Sequence, residues 1–134
     1  MNNTISNIPK PVNEPVYSYA PGTKERDLLK QAIAQLESQQ LEIPLIIGGK
    51  EIRTGNTGKC IQPHNHNKVL ATYHKAGPKE VQLAIEASQK AKHDWETLPY
   101  LQRASVFLKA ADLLSGKYRY ILNAATMLNQ SKNA

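Results

Sequence analysis

The side chains with the widest chemical reach in this 134-residue chain fall close together: Cys60, His64, His66 and His74. A thiol and three imidazoles are zinc ligands by type. A structural zinc site, however, wants four ligands in two paired short spacings. Here the cysteine stands alone, four residues before His64, and His64 and His66 flank a polar turn. The pattern reads as solvated histidines around a turn, and no metal ligand is assigned. Cys60 is also the one thiol that could act as a nucleophile, which needs a thiolate favoured by a helix N-terminus or a nearby cation. Its surroundings read as a strand, where a cysteine behaves as a small hydrophobe. Gly55-Asn-Thr-Gly58-Lys59-Cys60 hints at a phosphate-binding loop, but that spacing asks for glycine at Arg53 and a hydroxyl at Cys60. Both positions fail, which leaves a glycine turn between strands.

Trp95 closes an apolar helical stripe and reads as packing rather than ligand stacking. The formal charge is +6, from 17 basic against 11 acidic side chains. Residues 1–67 hold 7 basic and 6 acidic side chains; residues 68–134 hold 10 and 5, so the excess lies in the second half. Those cations are spread over three helical segments among glutamates, and no nucleic-acid-binding pattern stands among them. A solvated surface is expected, with no nucleic-acid partner. A single cysteine excludes an intramolecular disulfide and fits a reducing compartment. No apolar run approaches the roughly 18–20 residues that span a bilayer, so no membrane partner is expected. Met1–Ile8 is polar, with no apolar stretch of export type, and a cytoplasmic location is expected. Catalytic, cofactor-binding and metal-ligating residues are therefore all assigned as none.

The elements behind these residues are legible from period and punctuation. Residues 1–22 carry Pro9, Pro11, Pro15 and Pro21, which fix φ and remove donors, so an extended arm is expected. Thr23 is the expected N-cap of a helix over about Lys24–Gln40, with Leu29, Ile33 and Leu36 on one face. Ile43–Ile47 reads as a strand, Gly48-Gly49 as a turn and Lys50–Thr54 as the return strand. Lys59–Gln62 and Lys68–Lys75 complete a small antiparallel meander or pair of hairpins. From Pro78 the period is helical to about Glu96, with Val81, Ile85 and Trp95 in the stripe and a Glu86–Lys90 pair outside it. A further helix is expected over about Tyr100–Ser115, ended by a left-handed Gly116, and a last one from about Lys117. The class is α/β.

The same residues stand in an order that resembles the pyrroline-5-carboxylate dehydrogenase branch of the aldehyde dehydrogenase superfamily. The resemblance is carried by Asn13-Glu-Pro-Val16, Pro21-Gly-Thr-Lys-Glu-Arg-Asp27, Ile43-Pro44, Gly48-Gly49 and Pro63-His-Asn-His66. It continues through Ala84-Ile-Glu-Ala87, Trp95, Arg103-Ala104, Phe107-Leu-Lys-Ala-Ala-Asp112 and Leu114-Ser-Gly116. It runs from about Asn13 to Lys132. The chain departs from its relatives at Asn129 and Ser131, where glycines are usual, and around Asn67, where the loop is a residue shorter than in some of them.

The resemblance implies an N-terminal fragment, about the first quarter of such an enzyme. It implies an extended arm (1–22) and an incomplete portion of the NAD-binding domain (23–134). The fold is then a helix, short antiparallel hairpins and three helices of a Rossmann-like domain. For the parent it implies NAD as cofactor, a small-molecule substrate, a homo-oligomeric state and a role in proline catabolism. L-glutamate γ-semialdehyde would be oxidised to L-glutamate through a cysteine thiohemiacetal, hydride transfer and glutamate-assisted hydrolysis. The groups that do this lie, in the family, beyond position 134, so the fragment itself is expected to be inactive. Cys60 matches none of them. A reading of another class stays beside it: a free-standing, small, basic binding or interaction protein.

Overall fold

The structure is a computed structural model and describes residues 9–134; Met1–Ile8, with the polar run noted above and the first part of the arm, lies outside the described residues. The elements in chain order are α1 (Lys24–Glu37), β1 (Leu41–Ile43), β2 (Leu45–Ile47), β3 (Lys50–Ile52), β4 (Thr57–Gln62), β5 (Asn65–His74), α2 (Pro78–Thr97), α3 (Tyr100–Ser115) and α4 (Arg119–Gln130). The α/β class is the one expected.

The strands depart from a simple meander. Pro44 has no N–H to give, and the chain changes sheets there. The expected single strand Ile43–Ile47 is split. β1 pairs parallel to β5 with Glu42 opposite Thr72, whereas β2 pairs antiparallel to β3. The sheets are therefore a three-stranded one, in the order β1-β5-β4, and a separate two-stranded hairpin. The expected antiparallel hairpins are present at β2–β3 and β4–β5, and the parallel β1–β5 pair is the correction. The β2–β3 turn needs its glycines: Gly48 and Gly49 have φ of 57° and 76°, the signature of a two-residue turn matched to strand twist. Two register shifts, around Ile61, kink β4 against β5.

α1 stops at Glu37, three residues earlier than its period suggested. Its last turn holds no basic residue of its own, and Lys68 from β5 supplies the cation by donating to the Glu37 carbonyl at 2.6 Å. Thr23 is not a side-chain cap. Its hydroxyl donates backwards to the Ala20 carbonyl at 2.8 Å, closing the turn that precedes α1. α2 ends at Thr97, and Leu98 after it is held extended by the following Pro99. Gly116 ends α3 with φ −108° and ψ −98°, so the left-handed stop expected there is absent. That conformation instead falls on Ser131, at φ 52°, after α4. The Glu86 carboxylate accepts from Gln82 at 3.0 Å, and no Glu86–Lys90 ion pair is formed.

The core lies at one end of the molecule. Leu29 and Ala32 of α1 meet Ala124 of α4, the small side chains letting the two helices approach closely, and Tyr19, Ile33, Leu36, Tyr120 and Met127 pack around them. Leu128 and Ala71 are the other buried apolar residues among those described. α2 and α3 bury none of their residues.

Candidate functional site

The four residues with chemical reach are not brought together. His74, at the end of β5, is buried. Its Nδ1 accepts from the Thr54 N–H at 3.0 Å and the Gly55 N–H at 3.3 Å, and its Nε2 lies 2.8 Å from Glu42 Oε1. Two backbone donors on Nδ1 leave the proton on Nε2, so the ring donates to Glu42. His74 is therefore a clamp that ties the turn after β3 to the β1–β5 edge. His64 sits in the β4–β5 turn, with Nε2 2.8 Å from Gln62 Nε2 and Nδ1 2.8 Å from the Ser131 hydroxyl. His66 is exposed on β5. Cys60 is half-buried in β4 opposite Ala71, as a strand position should be. It lines an apolar groove of about 330 Å³ with Leu36, Leu70, Leu122 and Leu128. Among the described residues no three His, Cys, Asp or Glu side chains are placed to hold a metal ion.

Sequence reasoning missed the polar network around His74. Glu42 also pairs with Arg53 at 3.3 Å, and Arg53 reaches Glu51 at 2.9 Å. Glu42 stands 32 positions before its histidine. No local pattern links them; only the parallel β1–β5 register does. The hydrogen bond from His74 holds the Glu42 carboxyl below its ordinary value; partial burial opposes this, and the Arg53 guanidinium adds to it. A carboxyl lowered in the folded state stabilises the fold above its unfolded value, about 4.3, and that contribution is lost as pH falls through the lowered value. Glu42→Gln is expected to reduce the loss of stability on acidification below about pH 4.3. Urea midpoints measured between neutral and acid pH check this, and parallel curves for the two proteins would refute it.

The arm finds the support it lacks alone. The Arg119 guanidinium donates to the Pro15 carbonyl at 2.8 Å, pairs with Glu14 at 3.5 Å and lies 4.2 Å from the Tyr17 ring centroid. The Tyr19 hydroxyl accepts from Asn123 at 3.1 Å, and the Tyr19 carbonyl accepts from Arg26 at 3.2 Å. The segment is thereby laid across α1 and α4.

The start of α2 offers no dinucleotide cradle. β5 leads into α2 through Lys75-Ala76-Gly77, without the glycine-rich turn that brings backbone N–H groups to a pyrophosphate. The Gly77 N–H is already engaged by the Glu80 carboxylate at 2.8 Å, an anion where a phosphate would have to sit. The start of α2 does not fit the pyrophosphate of NAD.

What α2 and α3 do present is apolar surface. Trp95 and Phe107 meet edge to face at 6.3 Å, as packing residues do, yet they are 41% and 67% exposed. Val81, Ile85, Leu101 and Leu108 are exposed as well.

A profile of the aldehyde dehydrogenase family matches residues 51–134, more than half of the chain. The chain belongs to the aldehyde dehydrogenase family. Within the family it is 50% identical over 127 residues to the mitochondrial delta-1-pyrroline-5-carboxylate dehydrogenase of Dictyostelium discoideum, a match over 95% of this chain and 23% of the relative. It is 52% identical to the delta-1-pyrroline-5-carboxylate dehydrogenase of Agaricus bisporus, over 94% of this chain and 23% of that one. The Mycobacterium tuberculosis Delta-pyrroline-5-carboxylate dehydrogenase, solved with NAD and cobalamin, superimposes with a TM-score of 0.91 at 40% identity, over 96% of this chain and 24% of that one. The chain thus spans about a quarter of the length of the relatives it matches. These likenesses bear out the resemblance read from the sequence. No described helix is long and apolar enough to cross a membrane.

Proposed function

We propose that the chain is a portion of an NAD-dependent L-glutamate γ-semialdehyde dehydrogenase, the enzyme that converts 1-pyrroline-5-carboxylate to glutamate in proline catabolism. The observation that carries this reading is the superposition of nearly the whole chain on a quarter of a pyrroline-5-carboxylate dehydrogenase. In the parent, NAD accepts the hydride, the substrate is a small molecule, and a homo-oligomeric state is part of the same proposal. None of the residues present here is given a catalytic, cofactor or metal role. Residues 1–22 act as an arm, whose described part around Pro15 and Tyr19 is laid on the α1–α4 pair, and residues 23–134 as an incomplete portion of the NAD-binding domain. Their work is scaffold. A free-standing basic binding protein is not favoured, since the likeness to dehydrogenases runs along nearly the entire chain.

A cytoplasmic location belongs to this proposal; it is supported by the lone Cys60, which fits a reducing compartment. The Dictyostelium relative carries a mitochondrial name, and fractionation of the source cells distinguishes the two.

The deciding experiment is to express the complete open reading frame that contains this chain and follow NADH formation from pyrroline-5-carboxylate. Turnover by that product, and none by the 134-residue chain, is the expected result. A reading frame that ends at codon 134 and yields no NADH overturns the parent reading. Turnover by the short chain alone overturns the scaffold role.

A further inference from the structure

We infer that α2 and α3, with the β2–β3 hairpin beside them, form a docking surface whose occupant is the remaining three-quarters of an aldehyde dehydrogenase chain, even when that part is supplied as a separate polypeptide. The inference rests on the proposed function and extends it to an interaction that the short chain can make in trans.

The surface is built for burial and is not buried. α2 and α3 together run to 36 residues, and none of them is buried, whereas α1 and α4 bury two each. Helices of this length draw most of their stability from packing an apolar face, not from intrinsic propensity. Two open apolar grooves flank α2. One, of about 530 Å³, runs between β2 and the Val81–Ile85 face. The other, of about 610 Å³, lies at the α2–α3 corner under Trp95, Tyr100 and Phe107. A contiguous apolar surface of this kind marks an interaction site.

A polar preference comes with the second groove. Arg103 lines it, so an occupant that brings a carbonyl or carboxylate oxygen there is matched to the guanidinium. The choice of occupant follows from length. The described chain keeps its arrangement, at a TM-score of 0.91, inside a dehydrogenase about four times longer. That longer chain has three-quarters of its residues left with which to cover these faces. The partner is therefore an apolar surface bearing an acceptor for Arg103, already shaped to α2 and α3.

The test mixes the purified 134-residue chain with the remaining part of the Agaricus relative, produced separately. A 1:1 complex by light scattering is expected, with amide exchange slowed at least tenfold in α2 and α3 and unchanged across the α1–α4 pair. Phe107→Glu, at a position 67% exposed in the free chain, should weaken the complex at least tenfold while leaving the free chain's circular dichroism intact. Because the separate part could fail to fold, the two segments are also joined in one polypeptide and exchange is measured there. Exposed α2 and α3 amides in a folded joined chain overturn the inference, as does a complex in which only the α1–α4 pair is protected. A folded joined chain combined with no association in trans overturns it too. Docking with the expected protection, but no NADH from pyrroline-5-carboxylate by the complete natural reading frame, would instead remove the proposed function and leave the surface standing.

Discussion

Leu29→Ala is expected to cost about 2–4 kcal/mol and to abolish the helical signal of the 134-residue chain at urea concentrations the parent sequence tolerates. The size follows from how little core there is. Of the five buried apolar residues among those described, Ala32, Ala71 and Ala124 are alanines, which leaves Leu29 and Leu128 to supply most of the buried volume. Leu29 is 4% exposed and sits where α1 crosses α4, so truncation removes methyl groups and opens a cavity at the main helix–helix contact. Met127 borders the same cluster, and its flexible side chain can fill part of the space, which sets the lower end of the range. Native domains hold only about 5–15 kcal/mol in all, and a one-sided core lies low on that scale. Phe107→Ser is the control. It removes a larger side chain from α3, but one already in solvent, and should move the urea midpoint by less than the equivalent of about 0.5 kcal/mol. Equal effects from the two substitutions would mean that α1 and α4 are not the stable part of this chain.

That contrast also marks what the sequence could and could not tell. Helical periods with Pro78, Pro99 and Gly116 as punctuation located α2 and α3 closely, because 3.6-residue spacing is a local property. Periodicity says which face seeks burial; it is silent on whether anything covers that face. Leu101, Phe107 and Leu108 were thus readable as a packing stripe, and the structure shows them exposed. The strands failed differently. Pro44 stood inside an expected single strand, and the sheet change it causes depends on β1 finding β5 some thirty residues later, with Leu41 opposite Ala71. A hairpin is signalled by its turn, as Gly48-Gly49 shows; a parallel pair has no local signal of that kind.

The sequence assigned no site to Cys60, His64, His66 and His74; what it could not read was that His74, taken there as a solvated histidine, is buried. Cys60, His64, His66 and His74 look like a group along the chain because they are close in number. The strand pleat and the β4–β5 turn send them to different neighbours. The Glu80 contact with the Gly77 N–H gives a physical reason that the start of α2 takes no phosphate. The glycine expected from relatives near position 131 is explained in part as well. Ser131 adopts the left-handed conformation that favours glycine, and its hydroxyl contact with His64 offsets some of the strain.

His74→Phe is the second substitution with a large expected effect, about 1–3 kcal/mol. Phenylalanine fills a similar space but offers no acceptor to the Thr54 and Gly55 N–H groups and no donor to Glu42. Two competing terms fix the magnitude. Gly55 is exposed and Thr54 only half-buried, so water can reach the freed donors and spare part of the desolvation cost. The turn also keeps independent ties: the Thr54 hydroxyl is 3.0 Å from the Lys75 carbonyl, and the Lys75 N–H donates to the Asn56 carbonyl at 2.7 Å. Against this, Glu42 loses the contact that most lowers its pKa and keeps only the exposed Arg53, so its share of the stability at neutral pH shrinks. The turn should loosen without unfolding, and exchange at the Thr54 and Gly55 amides should quicken while α1 and α4 stay protected. His74→Gln, which restores an acceptor and a donor on a longer side chain, should recover part of the loss. Long-range nitrogen–proton spectra of the unsubstituted chain should find the ring proton on Nε2. A proton found on Nδ1, or unchanged amide exchange in His74→Phe, would show that the ring is merely packed at the strand end and clamps nothing.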